Sequence, residues 1–400
     1  MSNIPAQVYK TLDQLVNGDV DNFEITIQNP NKKGEGFMGE MLFVSLKHKK
    51  SHKEVNVIVK QAFREKAIRD SIPIRDIFMN EIYFYSKIWA RLDKFQQQVP
   101  TKYHFQKIPK CLASVSNENS EYLVMENLKL QHFQTHEKKI PLSKEHYQLI
   151  VREYGKFHGI SFAYKALYPE EYAEMAKGLV DIYADMSGRE FFQNGIKYLY
   201  EIGIESLQPG VDDAVIEKFR PYLENYLDVF VDSVKLKTKY TVITHGDCWS
   251  NNMMFKYYDA KNVTDVRFFD FQLAREASPC CDLSYCIYSG APKEVLQDLD
   301  RYLQIYHDSL STTLREFGCD PEEIYPLQAL KKDWKIFCKL GITMGLMIWK
   351  FKTTYDEELK DFTDITSDEQ EQIFLTGYDK DAFRKRARDL LCHLYESDFL

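Results

Sequence analysis

The stretch His245-Gly246-Asp247-Cys248-Trp249-Ser250-Asn251-Asn252, followed by the strand-like run Met253 to Tyr257 and then Phe269-Asp270-Phe271, holds the residues best suited to chemistry. Moving a phosphoryl group from a nucleotide to a hydroxyl needs a carboxylate to orient that hydroxyl and accept its proton. It also needs two oxygen ligands to hold magnesium against the phosphates. Asp247, Asn252 and Asp270 supply those three parts. A loop that turns back on itself between Asp247 and Asn252 lets the first face the acceptor and the second face the metal, with Asp270 arriving from the adjacent strand. A lone His-Gly-Asp would be an ordinary turn. The whole order, with its hairpin, carries the signal.

Two charged residues earlier in the chain fit the same chemistry. Lys60 ends a third strand and Glu81 lies on the next helix, an arrangement that neutralises the α- and β-phosphates while fixing the ammonium group. Either residue alone reads as a solvated surface charge, and a lysine at a strand end contributes little to a core. Ahead of them stand Gly34, Gly36 and Gly39 in G-x-G-x-x-G spacing. In a dinucleotide-binding turn such glycines open a helix; here they open the alternating run MLFVSL, which favours a flap over phosphates. A plain hairpin tip is the bland alternative.

The elements that must position these residues follow from periodicity. FEITIQN and EMLFVSLKH alternate at period two around the glycine turn, so residues 23–46 predict a β-hairpin. KEVNVIVKQ is a third strand, with Val55, Val57 and Val59 on one face and Asn56, Ile58 and Lys60 on the other. Apolar spacings of three and four predict an amphipathic helix over residues 75–92, containing Glu81. PKCLASVS and EYLVMENL are two further short strands. From Pro141 the chain turns helical, with helices predicted over 142–161, 172–202 and 211–234 and several after Asp282, interrupted by strands at YTVITH, NMMFKYY and VTDVRFFDF. The expected architecture is α+β and bilobal: residues 1–128 form a small antiparallel-sheet lobe with one long helix, and residues 129–400 a larger, mainly helical lobe. Other residues have structural readings. His158 is a satisfied packing histidine, His245 braces its loop, Asp282 is an N-cap or loop anchor, and Trp249 suits an acceptor wall and a core position equally.

Composition narrows the classes. The chain has 400 residues, 44% hydrophobic and 28% charged, so it folds throughout and is long enough for two cores. Lys and Arg number 52 against 60 Asp and Glu, a net charge of −8 that disfavours a broad grip on nucleic acid or anionic lipid. The amino terminus lacks the order of a secretory signal, and the best apolar run, Leu340 to Trp349, is about half the ~20 residues a membrane span needs. The eight cysteines form no C-x-x-C pair. A cytoplasmic protein with reduced thiols and no structural metal is expected. The 26 Phe, 26 Tyr and 4 Trp predict a large aromatic core. Oligomeric state is not legible.

The order glycine loop, strand lysine, helix glutamate, LVMENL, HGDxxxxN and a later Asp resembles the protein-kinase-like fold as used by aminoglycoside and choline phosphotransferases. VMENL, GKFHGIS, THGDCWSNNMMF, FFDFQLAR and CDLSYCIYS resemble more closely the ecdysteroid kinase-like family. The resemblance implies ATP, Mg2+ and a small-molecule alcohol as acceptor. It makes Asp247 the catalytic base, Asn252 and Asp270 the magnesium ligands, Lys60 the phosphate lysine and Glu81 its partner. It places Glu126, Asn127 and Leu128 at an adenine-binding hinge, with Asn127 standing where the family leads one to expect Asp. The acceptor it suggests is an ecdysteroid-like or other apolar alcohol. A choline- or ethanolamine-type kinase and a catalytically silent binding member of the same fold are the alternatives. A protein acceptor is disfavoured, because only a short stretch separates Asp270 from the helix expected at Asp282.

Overall fold

A computed structural model describes residues 6–28, 39–100, 104–259, 262–358 and 372–400. Gly34 and Gly36 lie outside these residues; Gly39 opens a strand. Five strands, β1 (Phe23–Gln28), β2 (Gly39–His48), β3 (Glu54–Ala62), β4 (Cys111–Val115) and β5 (Tyr122–Glu126), form one sheet in the order β1-β2-β3-β5-β4. All of its neighbours run antiparallel, and the predicted hairpin is the β1–β2 pair.

The alternation in β3 sorts its side chains as expected. Val57 and Val59 are buried on one face, where Val8, Leu12 and Val16 cover them from helix α1 (Ala6–Leu15) and the turn after it. Sequence periodicity had not marked that helix. Helix α2 (Lys66–Ser71) follows β3; Lys60 points to the other face, towards α3 (Ile74–Tyr83), and its ammonium lies 5.5 Å from the Phe78 ring centre. The helix predicted over residues 75–92 runs from Ile74 to Gln96, but not at one pitch. Residues Phe84–Trp89 form a π-helical turn before α4 (Ala90–Gln96). Such a turn shifts the buried face relative to a uniform helix, and here it brings Phe84 flat against Phe271, ring centres 3.9 Å apart.

The remaining chain is mainly helical around one large core. Helix α5 (Lys144–Leu167) extends beyond its predicted end. The span 172–202 is not one helix but three, α6 (Pro169–Lys177), α7 (Ile182–Met186) and α8 (Glu190–Ile204). The breaks fall at Gly178 and Gly188, and the Asp181 side chain caps α7 by accepting from Ala184 N–H. Residues 211–234 likewise divide into α9 (Asp213–Glu224) and α10 (Tyr226–Lys235), with Pro221, which donates no backbone hydrogen bond, in the last turn of α9. Short strands β6 (Gln134–Thr135), β7 (Val242–Thr244), β8 (Met253–Tyr257), β9 (Val263–Phe268) and β10 (Arg275–Ala277) pair as β6-β8-β9 and β7-β10. Helix α11 spans Pro279–Tyr288 and starts before Asp282; Ser278 is its N-cap, accepting from Cys280 N–H. Asp282 is therefore not the cap.

The start of α5 carries a titratable fastening. His146 Nδ1 accepts from the Ser143 N–H at 3.3 Å, and its Nε2 lies 2.9 Å from the Tyr257 hydroxyl, which ties the helix to β8. Burial, with help from nearby His136, pushes His146 down to about 4, and burial does the same to His393. A histidine depressed on folding stabilises the fold fully above its ordinary value near 6.5 and loses that contribution as pH falls towards 4. Between pH 7 and 5 each histidine should take away at most about 1.4 kcal/mol of stability per pH unit, while the raised carboxyls of Glu81, Asp247 and Asp333 act in the opposite direction. The histidine share is therefore read by difference in urea unfolding: His146→Gln, which keeps a side chain able to cap, should lose less stability than the parent chain as pH falls over this range; an identical pH dependence would remove His146 as a source.

Candidate active site

Two antiparallel pairings bring the chemistry-bearing loops together. β7 enters the loop 245–252 and pairs with β10, Thr244 opposite Arg275. β8 leaves that loop and pairs with β9, Met253 opposite Phe268. The turn at Asp270 lies between β9 and β10, so both of its flanks are clamped to both flanks of the Asp247 loop. Phe269 N–H donates to Asn252 C=O at 3.1 Å, and the His245 Nε2–H donates to Phe269 C=O at 3.0 Å. His245 Nδ1 accepts from Asp247 N–H at 3.2 Å, so this histidine braces the loop as expected. Burial holds it below its ordinary value.

Asp247 is buried and its carboxylate is held at both oxygens. Asn252 Nδ2 donates to Oδ2 at 2.7 Å and to the Asp247 backbone C=O at 3.0 Å; Tyr285 donates its hydroxyl to Oδ1 at 2.7 Å. Burial pushes Asp247 up to about 6, assisted by the charge of Asp270 and opposed by those two donors. Asn252 spends its amide nitrogen on Asp247, so its amide oxygen is the atom it can offer a cation. Gly246 has φ of +84°, and a Cβ there would fall 1.9 Å from Leu273 C=O; glycine is required by conformation and by space.

Lys60 joins the second half of the cluster. Its ammonium donates to Glu81 Oε2 and to Asp270 Oδ1, both at 2.6 Å. Its side chain is 12% exposed, against 3% for Glu81 and 22% for Asp270. Two carboxylates keep Lys60 protonated and raise it despite burial, while burial pushes Glu81 up against the pull of Lys60. The strand-end lysine is thus no solvated charge. Asp270 itself sits in the left-handed region at φ +67°, which Asp tolerates better than most residues. Phe271 beside it is packed between Phe84 and His245, whose ring centres lie 3.9 and 4.2 Å away.

Beneath the loop lies Asp282. Its carboxylate accepts from His245 N–H at 2.7 Å, Gly246 N–H at 2.9 Å and His158 Nε2 at 3.1 Å. Burial would raise it, but these donors hold it below the ordinary carboxylate value. It is the loop anchor of the two readings offered by sequence. His158 is fully buried between Asp282 and the Tyr306 hydroxyl, a packing histidine with both nitrogens engaged. Trp249 is buried in the main core.

The structure therefore gathers Lys60, Glu81, Asp247, Asn252 and Asp270. Glu126 ends β5, and Asn127 caps the 3-10 turn that Leu128 opens. Glu126 N–H donates to Lys110 C=O, its carboxylate accepts from Lys110 N–H and Gln131, and Asn127 Oδ1 accepts from Lys129 N–H. Leu128 is buried with Phe133 and Met254, against Phe269. Sequence reasoning missed Tyr285 and Asn80, which bears on the same cluster. Tyr285 stands three residues after Asp282 in an apolar helix, the spacing that turns two polar groups to one face. Asn80 gave no separate signal beside Glu81.

A strand lysine paired to a helix glutamate, an HGDxxxxN loop and an aspartate after the next hairpin stand on a five-stranded antiparallel sheet followed by helices, the protein-kinase-like fold. The protein is a small-molecule kinase of that fold. It belongs to the ecdysteroid kinase-like family, whose model matches residues 33–319. No curated protein matches the chain. Among solved structures it is similar to the GDP and kanamycin complex of APH(2")-IIia, at 13% identity over 85% of this chain and 98% of that one, with a TM-score of 0.40. Glucosamine kinase (crystal form B) is similar at 10% identity over 97% of this chain and 83% of that one, TM-score 0.37. No helix among the described residues is long and apolar enough to cross a membrane.

The Lys60 cluster gives a direct expectation for stability. Lys60→Met would leave two carboxylates facing each other without their cation. Removing one partner of a buried pair costs about 3–5 kcal/mol, and the low end applies because Asp270 is partly exposed. Thermal unfolding of Lys60→Met should drop clearly, and Lys60→Met/Glu81→Gln should recover part of the loss. A single variant as stable as the parent would mean that the three groups do not act on one another.

Proposed function

We propose that the chain transfers the γ-phosphoryl group of ATP to a hydroxyl of a small, mainly apolar molecule, an ecdysteroid-like or other apolar alcohol. The observation that carries this reading is the Asp247 carboxylate, held from both sides by Asn252 and Tyr285 beside the Lys60–Glu81–Asp270 cluster. Family membership supports the acceptor class.

In this reading Asp247 orients the acceptor hydroxyl and takes its proton as the oxygen attacks phosphorus, and its burial suits it to accept that proton. Lys60 neutralises the α- and β-phosphate oxygens, and Glu81 keeps the ammonium from swinging away. The carboxylate of Asp270 and the amide oxygen of Asn252 are hard oxygen donors, the set that suits Mg2+ with its retained waters. Bound there, Mg2+ would offset charge on the phosphates. Gly34, Gly36 and Gly39 would cover the phosphates, and Glu126, Asn127 and Leu128 would lie along the adenine, with the lobes dividing at 128/129. Eight unpaired cysteines support a reducing, cytoplasmic setting.

Asp247→Asn should keep ATP binding and lose at least ~10²-fold in turnover. Asp270→Asn should also lose magnesium-dependent nucleotide binding. Near-parental turnover in both variants would remove the assignment. The acceptor is tested by incubating protein, ATP and magnesium with hydroxylated steroids, other apolar alcohols, choline and aminoglycosides, and reading added phosphate by mass spectrometry. Phosphorylation of a single hydroxyl on an apolar alcohol is expected; turnover of choline with none of any apolar alcohol would replace this acceptor class.

A further inference from the structure

Asn80 precedes Glu81 in α3 and is 1% exposed. Its amide nitrogen donates to Gln272 C=O at 3.0 Å and Ala274 C=O at 2.8 Å, and its amide oxygen accepts from Val180 N–H at 3.0 Å. A carboxamide suits this junction because it donates twice and accepts from one small planar group. Gln272 and Ala274 belong to the turn that follows Asp270, and Val180 lies in the link between α6 and α7. One side chain thus fastens three segments that are far apart in sequence.

The α6–α7 link is itself anchored at both ends. Tyr83, also on α3, donates to Met175 C=O at 3.1 Å, and Gly178 lies so close that a Cβ there would come within 2.1 Å of the Tyr83 ring. Beyond Val180, Asp181 accepts from Arg275 of β10 at 2.9 Å. Tyr183 donates to Gly246 C=O at 2.6 Å, and the Arg275 guanidinium lies over its ring. Residues 175–183 therefore run as a strap from the helix that carries Glu81 to the glycine that precedes Asp247.

We propose that Asn80 is a positioning residue that locks the Glu81 helix, the Asp270 turn and the 175–183 strap into one unit, so that the setting of Glu81 is transmitted to the Asp247 loop. The mechanical part of this inference stands on the hydrogen bonds alone; its effect on nucleotide binding rests on the function proposed above. The groups facing Asn80 are two backbone C=O groups of the short 3-10 turn after Asp270 and the N–H of Val180 in the α6–α7 link, segments that lie outside the α-helices and strands. The disturbance therefore travels along the strap and the Asp270 turn instead of ending at α3.

The test uses the purified full chain and three variants: Asn80→Ala, which removes the junction; Tyr83→Phe, which removes one anchor; and Tyr183→Phe, which removes the contact to Gly246. Hydrogen–deuterium exchange is read by mass spectrometry on peptides covering 78–82, 175–183, 245–252 and 270–274. In Asn80→Ala, exchange should rise roughly tenfold or more in all four, with helix 299–316 unchanged. A rise confined to 78–82 would overturn the proposal. The second readout is calorimetric titration of each variant with ATP and magnesium. Tyr183→Phe, which removes only the hydroxyl bond to Gly246 and keeps the ring, should weaken nucleotide binding several-fold; unchanged affinity together with unchanged exchange at 78–82 would also overturn the link. Should Asn80→Ala fail to fold, the two tyrosine variants read the same strap from its two ends. If the parent chain binds no nucleotide, the function proposed above fails, while the exchange pattern still decides the role of Asn80.

Discussion

One ammonium group holds together segments separated by 210 positions of sequence: Lys60 on β3 donates to Glu81 on α3 and to Asp270 in the turn after β9. A lysine in so enclosed a place must have its charge matched. Two carboxylates approach it because each would itself be costly if buried alone. The match is over-complete, two negative charges against one positive, and the excess leaves the cluster ready for a further cation or donor. Burial raises Glu81 for the same reason. The side chains that neutralise one another here are those with the types and order of a phosphoryl-transfer site.

A second set of constraints keeps the Asp247 loop in its bent path. Asp282, buried in α11, receives two successive backbone N–H groups of that loop and one histidine nitrogen. Gly246 takes the positive φ that lets the chain pass under Leu273. His245 ties the loop to the residue before Asp270. Each fastening satisfies a buried polar group, and removing its partner would leave that group dry. The loop is therefore positioned by helices α5 and α11 behind it, and the Asp270 turn by α3 in front, with the strap 175–183 reaching from α3 to Gly246. The aromatic core fills the space between, with Phe84 stacked on Phe271 and Phe271 tilted against His245 across the junction.

Periodicity and chemistry-bearing spacing in the sequence determined much of this. The alternation of β2 and β3 placed Lys60 on the face opposite Val57 and Val59, and the three-and-four spacing after Arg75 put Glu81 on the adjoining helix. The residues of the HGDxxxxN loop and Asp270 were legible because their types and their hairpin are local features of the chain. Local signals also marked β1 to β5 and β7 to β9 as strands, but not the short β6 and β10, which exist only through their pairing with β8 and β7. They were weaker at helix ends: the breaks at Gly178, Gly188 and Asn225 interrupt apolar patterns that continue through them, and α11 begins at a serine cap ahead of Asp282. The π turn at Phe84–Trp89 is invisible to any fixed period.

Only the tertiary structure decided which polar side chains would find which partners. Nothing local distinguishes Asn80 from its neighbours, because its three partners lie in two segments remote in sequence. Tyr285 meets Asp247 only because α11 crosses behind the loop, and Asp282 becomes an anchor instead of a cap for the same reason. The burial that turns Lys60 from a strand-end charge into the centre of an ion cluster comes from α3 and the Asp270 turn closing over it. Side-chain type and periodicity are written residue by residue, but burial and the pairing it enforces depend on surfaces that meet only when the chain has folded.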